Sequence, residues 1–177
     1  KKIANSVPKT IMLSPPSSEL HKIRESIMVL GTEFAIFFII NPTFEGLVMI
    51  YQVKAPILGF EQTERIEVTP VDDNFIQIRD VDNSNIAFTL VNPYSLREYS
   101  FDVPTPIQVL QEIHKESKIN VYNIIVIQKD MEKSIVNFLA PLIFNEDNAT
   151  VGQIVLSSKA YPDYDVAQEM GEFLVKN

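Results

Sequence analysis

The chain contains no cysteine, only two histidines and only five glycines among 177 residues. Without cysteine there are no disulfides, no thiolate metal sites and no cysteine nucleophile, which fits a reducing compartment. The glycines are isolated from one another, so no glycine-rich phosphate loop exists. A Ser–His–Asp arrangement needs a positioned base. His21 sits in an atypical N-terminal stretch and His114 on the exposed side of an expected helix, so neither supplies one. The longest apolar run, Phe34–Ile40, is far short of the roughly 20 residues of a spanning helix. No small-residue cleavage site follows it, as a signal peptide requires. These absences point to a cytoplasmic protein with no catalytic residue, no metal and no cofactor.

What is present is a globular composition with an uneven charge. Hydrophobic residues make up 46% of the chain, enough for a core, and the net charge is -8. Residues 1–48 hold five Lys/Arg against four Glu, whereas residues 49–177 hold ten against nineteen acidic groups. An acidic surface repels nucleic-acid phosphates and favours a basic partner. The pairs Asp72/Asp73, Asp80/Asp82 and Glu146/Asp147 offer hard oxygen ligands. None lies in the glycine-bearing loop of an EF-hand, and such turns are ordinarily solvated.

Residues 1–48 read as an N-terminal extension, a fused or cloning-derived segment, with a helix at 18–30 and an apolar strand at 34–40. From Met49, taken as the natural start, the pattern is mainly strand. Residues 50–53, 66–68 and 75–78 alternate, Asp80–Asn85 is a dense turn, and 86–91 completes a hairpin. Tyr99 and Phe101 begin a further strand ending at Pro104. Thr105 as N-cap, Pro106 at the first position and Gln108 three residues after the cap start a helix near 106–116. Val121–Gln128 belongs in the middle of a sheet. Between Ser134 and Leu156, two apolar runs flank the turn Asn145-Glu146-Asp147-Asn148, a hairpin in which Pro141 marks an edge or bulge and Asn137 needs a hydrogen-bond partner. Asp165 with Gln168 repeats the capping pattern, which predicts a second helix over 165–175. The fold class is mainly β, an antiparallel β-barrel-like single domain with one or two short helices.

Several segments, in order, resemble the flagellar assembly factor FliW family. They are A-P-I-L-G-F-E (55–61), F-T-L-V-N-P-Y (88–94), R-E-Y-S-F-D-V-P (97–104), N-I-I-V-I-Q-K (123–129), V-N-F-L-A-P-L-I-F-N (136–145) and Y-P-D-Y (161–164). Together they cover residues 49–177. The resemblance implies a cytoplasmic binding protein without enzymatic activity, which binds flagellin and the RNA-binding translational regulator CsrA. It would relieve repression of flagellin mRNA by partner switching and would bind no nucleic acid or membrane itself. Matched pattern positions Asn92, Pro93, Asn137, Pro141 and Asn145, with neighbouring Tyr94, Arg97 and Asn148, are candidates for partner contact. Charge adds Glu146 and Asp147 as the expected CsrA contacts. The alternative is a small-ligand-binding β-barrel protein without enzymatic activity.

Overall fold

The structure, a computed structural model, describes residues 48–174. The helix expected at 18–30 and the strand at 34–40 lie outside these residues. Nine strands form one sheet: β1 (Met49–Ala55), β2 (Arg65–Pro70), β3 (Phe75–Asp80), β4 (Ala87–Val91), β5 (Ile119–Val126), β6 (Ile135–Val136), β7 (Leu142–Asn145), β8 (Thr150–Gln153) and β9 (Gln168–Glu169). The spatial order is β4-β3-β2-β1-β8-β7-β5-β6-β9, and a β4–β5 pairing closes the first seven into a barrel. Closure removes the open edges that an isolated sheet would present. β6 and β9 are an annex outside the ring. The barrel departs from a purely antiparallel one at a single seam among the described residues. There β1 runs parallel to β8, and a register shift between Val53 and Ala55 absorbs the mismatch.

Register decides which side chains fill the barrel. Successive cross-strand partners Tyr51–Ile66, Val68–Ile78, Ile76–Leu90, Leu90–Ile124, Tyr122–Leu142, Phe144–Val151 and Val151–Val53 share one face and return to their start. These side chains pack as one apolar cluster, the barrel interior. The opposite face changes character halfway round. On β1 to β3 it carries Gln52, Arg65, Glu67, Thr69, Gln77 and Arg79, exposed or half-buried, so that wall is solvated. On β5, β7 and β8 it carries Val121, Asn123, Ile125, Ile143, Asn145, Thr150 and Gly152, all buried. The connections 92–118 and 127–141, with residues 154–174, cover that wall and build two further apolar clusters against it.

Local signals explain most of the turns. Asp80 closes the β3–β4 hairpin: Oδ1 accepts from the Asp82 and Asn83 N–H groups, and Oδ2 from Thr63 Oγ1 at 2.6 Å. The carboxylate is 6% exposed. The Thr63 hydroxyl first, helped by the two backbone N–H groups and Arg65, holds its pKa below the usual carboxylate range against the opposing effect of burial. A depressed folded-state pKa contributes stability that is present above the unfolded value and is lost as pH falls through the folded one. Acid titration of the folded fraction is therefore expected to show a loss of stability below the ordinary Asp range. Asp80→Asn should remove that acid limb and cost about 1–3 kcal/mol at neutral pH. An acid limb equal in wild type and variant would contradict this.

Three segments differ from the sequence expectation. The helix, α1, spans Thr105–Leu110 with Pro104 rather than Thr105 as its N-cap. It ends early because Glu112 has φ 53°, a left-handed conformation that cannot continue a right-handed helix. Residues 99–104 form no strand. Their backbone is instead held by two tyrosine hydroxyls: Tyr164 Oη accepts from Ser100 N–H and donates to Ser100 O, and Tyr161 Oη accepts from Asp102 N–H. The two rings stack 2° from parallel and stand where a neighbouring strand would be. The helix expected over 165–175 is absent through the described residues: β9 is followed by a single 3-10 turn, Met170–Glu172. The capping contact forms, with Gln168 Oε1 accepting from Asp165 N–H, but the Asp165 carbonyl accepts from Phe138 N–H and Met170 N–H donates to Ser134 O. Pairing with the β6 segment has taken the groups that a helix needs.

Candidate partner-binding site

β6 and β7 are one strand interrupted by an excursion. Val136 pairs with Ile125 and Leu142 with Tyr122, so six steps along this strand match three along β5 and three residues are extra. The excursion Asn137–Pro141 is the anchor of the covered wall. Asn137 Oδ1 accepts from Leu139 N–H, and its carbonyl accepts from Asn123 Nδ2 at 2.6 Å. The Phe138 carbonyl accepts from Tyr99 Oη, the Ala140 carbonyl from Gln153 Nε2, and the Pro141 carbonyl from Ile154 N–H. Pro141 therefore sits at an irregularity, as its missing N–H demands, and is buried there.

The turn beyond β7 is an acidic tip of fixed shape. Asn145, buried, accepts from Asp147 N–H through Oδ1 and donates from Nδ2 to the Gln111 carbonyl at 2.8 Å. Asn148 Nδ2 donates to the same carbonyl, and its Oδ1 accepts from Thr150 Oγ1. Asp147 Oδ2 accepts from Lys118 N–H, and the Glu146 carboxylate accepts from Asn120 Nδ2. Ala149 closes the turn at φ 51°. Tyr51 and Tyr122 lie nearby. Burial pushes both phenols up, and the negative field of Glu146 pushes them further.

Of the ten residues expected to contact partners, only Glu146, Asp147 and Asn148 are exposed. Pro93, Pro141 and Asn145 are buried. Asn92 is half-buried and caps the 3-10 turn Pro93–Ser95, its Oδ1 accepting from Tyr94 N–H. Burial pushes the half-buried Tyr94 phenol up to about 12, with Tyr164 adding to the shift. Arg97 points inward over the rings of Tyr164, Phe138 and Phe173, 5.0 to 5.5 Å from their centroids. Asn137 is half-buried in the excursion. The exposed members of the ten therefore all lie on the tip. His114, exposed, bonds through its backbone N–H to Ser117 Oγ. Among the described residues, no group of three His, Asp or Glu side chains is placed to hold a metal ion. No helix among them is long and apolar enough to cross a membrane.

Sequence reasoning missed Gln111. It follows α1 fully buried, and neither amide atom has a hydrogen-bond partner. Gly152 makes room for it: a Cβ there would stand 2.7 Å from Gln111 Nε2 and 2.8 Å from the Ala55 Cβ. An isolated glycine inside a strand pattern was the available signal. An unpaired buried amide costs about 1–3 kcal/mol, and an apolar group of the same shape avoids that penalty. Gln111→Met is therefore expected to raise stability by about 1–2 kcal/mol in denaturant titration, because the backbone carbonyl that receives Asn145 and Asn148 is untouched. A loss of stability would mean that the amide is satisfied.

A model of the FliW protein family matches residues 46–169. Two curated relatives come from Wolinella succinogenes. The chain is 48% identical to flagellar assembly factor FliW 1 over 126 residues, spanning 71% of this chain and 98% of that protein. It is 43% identical to flagellar assembly factor FliW 2 over 125 residues, spanning 71% and 92%. A crystal structure of a flagellar assembly factor FliW superposes with a TM-score of 0.60 at 20% identity, over 68% of this chain and 84% of that one, a likeness of fold.

Proposed function

The chain belongs to the FliW family of flagellar assembly factors, and from that membership we propose that residues 49–177 are a cytoplasmic, non-enzymatic regulator that binds flagellin and a CsrA-type RNA-binding protein in alternation. Binding the regulator relieves its repression of flagellin mRNA, and unsecreted flagellin competes for the same factor. Flagellin thereby sets its own rate of translation. The observation that carries this reading is the acidic tip. Glu146 and Asp147 project from a turn whose backbone is held at three points, with the Asp147 carboxylate itself fixed by Lys118 N–H, so the charge is presented without an ordering cost at the moment of binding. A regulator that grips RNA phosphates is basic, and such charge complementarity raises the association rate and selects the partner. The barrel interior, filled by Tyr51, Ile66, Val68, Ile76, Leu90 and Phe144, supports binding at the surface rather than a ligand inside.

The test is charge reversal. Glu146→Lys with Asp147→Lys is expected to weaken regulator binding by about tenfold or more at low salt, with a smaller effect at high salt. Because Asp147 also receives Lys118 N–H, about 1 kcal/mol of stability should be lost as well. Glu146→Gln with Asp147→Asn keeps those acceptors and separates charge from turn structure. Unchanged affinity in both variants would remove the tip from the interface.

A further inference from the structure

The annex strand β9 is the last in the sheet order, and its far side pairs with no strand among the described residues. Antiparallel backbone groups alternate in direction along a strand. Met170 N–H donates to Ser134 O, and Val136 stands opposite Gln168, so Gln168 and Met170 turn their backbone groups towards β6. The N–H and C=O of Glu169, between them, point outward. Its φ of -69° and ψ of 135° are extended. Val166, just before the strand, is 57% exposed. The stretch from Tyr161 to Phe173 carries Asp163, Asp165, Glu169 and Glu172, all exposed, and no Lys or Arg. The cation beside it, Arg97, is occupied: Nη1 donates to Asp163 O and Gln168 Oε1, and the guanidinium lies over the Tyr164 ring. On the preceding turn Lys133 pairs with Asp130, and Glu132 adds a further acid.

We propose that the outer edge of β9 docks an extended, basic segment of a protein partner, which adds as a further strand through the backbone of Glu169. Strand addition supplies main-chain hydrogen bonds, while side chains set the choice of partner. Here the flanking carboxylates favour Lys and Arg on the incoming strand, and Val166 offers an apolar contact beside them. This rests on the reading of the chain as a partner of a basic regulator. The edge is distinct from the acidic tip. β6 and β9 continue from the Val126 end of β5 and the tip from its Ile119 end, roughly 20 Å apart at about 3.3 Å per residue. A regulator spanning both would gain from each independently.

The fold itself supplies the test. The φ of Glu169 suits proline, and its N–H is not used by β6, so Glu169→Pro deletes the outward donor and leaves the β6–β9 pairing in place. Binding of the full chain to purified CsrA-type regulator and to purified flagellin is measured for wild type, Glu169→Pro and Glu169→Gln. The proposal predicts at least a tenfold loss of regulator affinity for Glu169→Pro and about a twofold, salt-sensitive loss for Glu169→Gln. It also predicts slowed hydrogen exchange of the wild-type Glu169 amide on adding regulator, a readout that does not depend on the variant folding. Equal regulator affinity in wild type and Glu169→Pro, or unchanged exchange at Glu169, overturns the edge and leaves the regulator reading standing. A loss of flagellin binding alone overturns the basic occupant. Failure of wild type to bind any regulator overturns both readings together.

Discussion

Tyr99→Ala is expected to destabilise the protein by about 4 kcal/mol, within the range for emptying a large aromatic site in a core. Tyr99 is 2% exposed and touches Tyr94, Phe101, Phe138 and Tyr164, with ring centroids 4.8 to 6.2 Å away. Its hydroxyl donates to the Phe138 carbonyl at 2.6 Å and accepts from Asn123 Nδ2 at 3.4 Å. Burial drives the phenol far above its ordinary pKa, so the proton stays on the oxygen that donates it. Tyr99→Phe isolates the polar part. It keeps the rings packed but leaves a buried carbonyl unmet, for an expected loss of about 2 kcal/mol. Urea titration of the three proteins checks both numbers through the midpoint at constant slope. If the phenylalanine variant matches wild type, the Phe138 carbonyl does not depend on this hydroxyl.

Arg97→Ala is expected to cost about 3 kcal/mol, and Arg97→Lys to recover less than half of that. The guanidinium lies near three rings and donates to Asp163 O at 2.9 Å and Gln168 Oε1 at 3.3 Å. It joins the 3-10 turn after β4 to the 161–173 segment, which also meets the rest of the fold through Tyr161, Tyr164, Met170, Phe173 and the short β9. A lysine has no planar face to lay on the rings and no fork to reach both acceptors. The loss should appear first as faster exchange of amides in 163–170, since the contacts removed are local to that segment. Full rescue by lysine would reduce the role of Arg97 to bare charge.

Much of the barrel is legible in the sequence because on β1 to β3 one face is buried and the other solvated, so the alternation survives there, whereas β7 and β8 are buried on both faces. Ile66/Val68, Ile76/Ile78 and the Asp80 turn give β2 to β4 directly, and Asn145 to Asn148 marks the β7–β8 turn. Alternation fails where side chains substitute for strands. The Tyr99–Pro104 segment has a strand pattern, yet tyrosine hydroxyls take the place of a partner strand. The terminal spacing of Val166, Met170 and Phe173 mimics a helix face, but Val166 is exposed while Met170 is fully buried, which one helical stripe does not allow. The acidic tip was visible as charge. Asn92, Asn137 and Asn145 each accept from the N–H two residues on, a local turn pattern that these residue types offer in the sequence. The distant partners were not visible: Asn123 on the Asn137 carbonyl and the Gln111 carbonyl on Asn145. Arg97 is the sharpest case: a residue type favoured at interfaces is here turned inward.

Alternation between two partners is the core of the proposed function. The direct measurement is a competition: the purified protein is saturated with labelled CsrA-type regulator, and purified flagellin is titrated in at constant ionic strength. Flagellin is expected to release the regulator completely, with a midpoint set by the two separately measured affinities. A ternary complex at saturating flagellin, or a protein that holds neither partner, would contradict it.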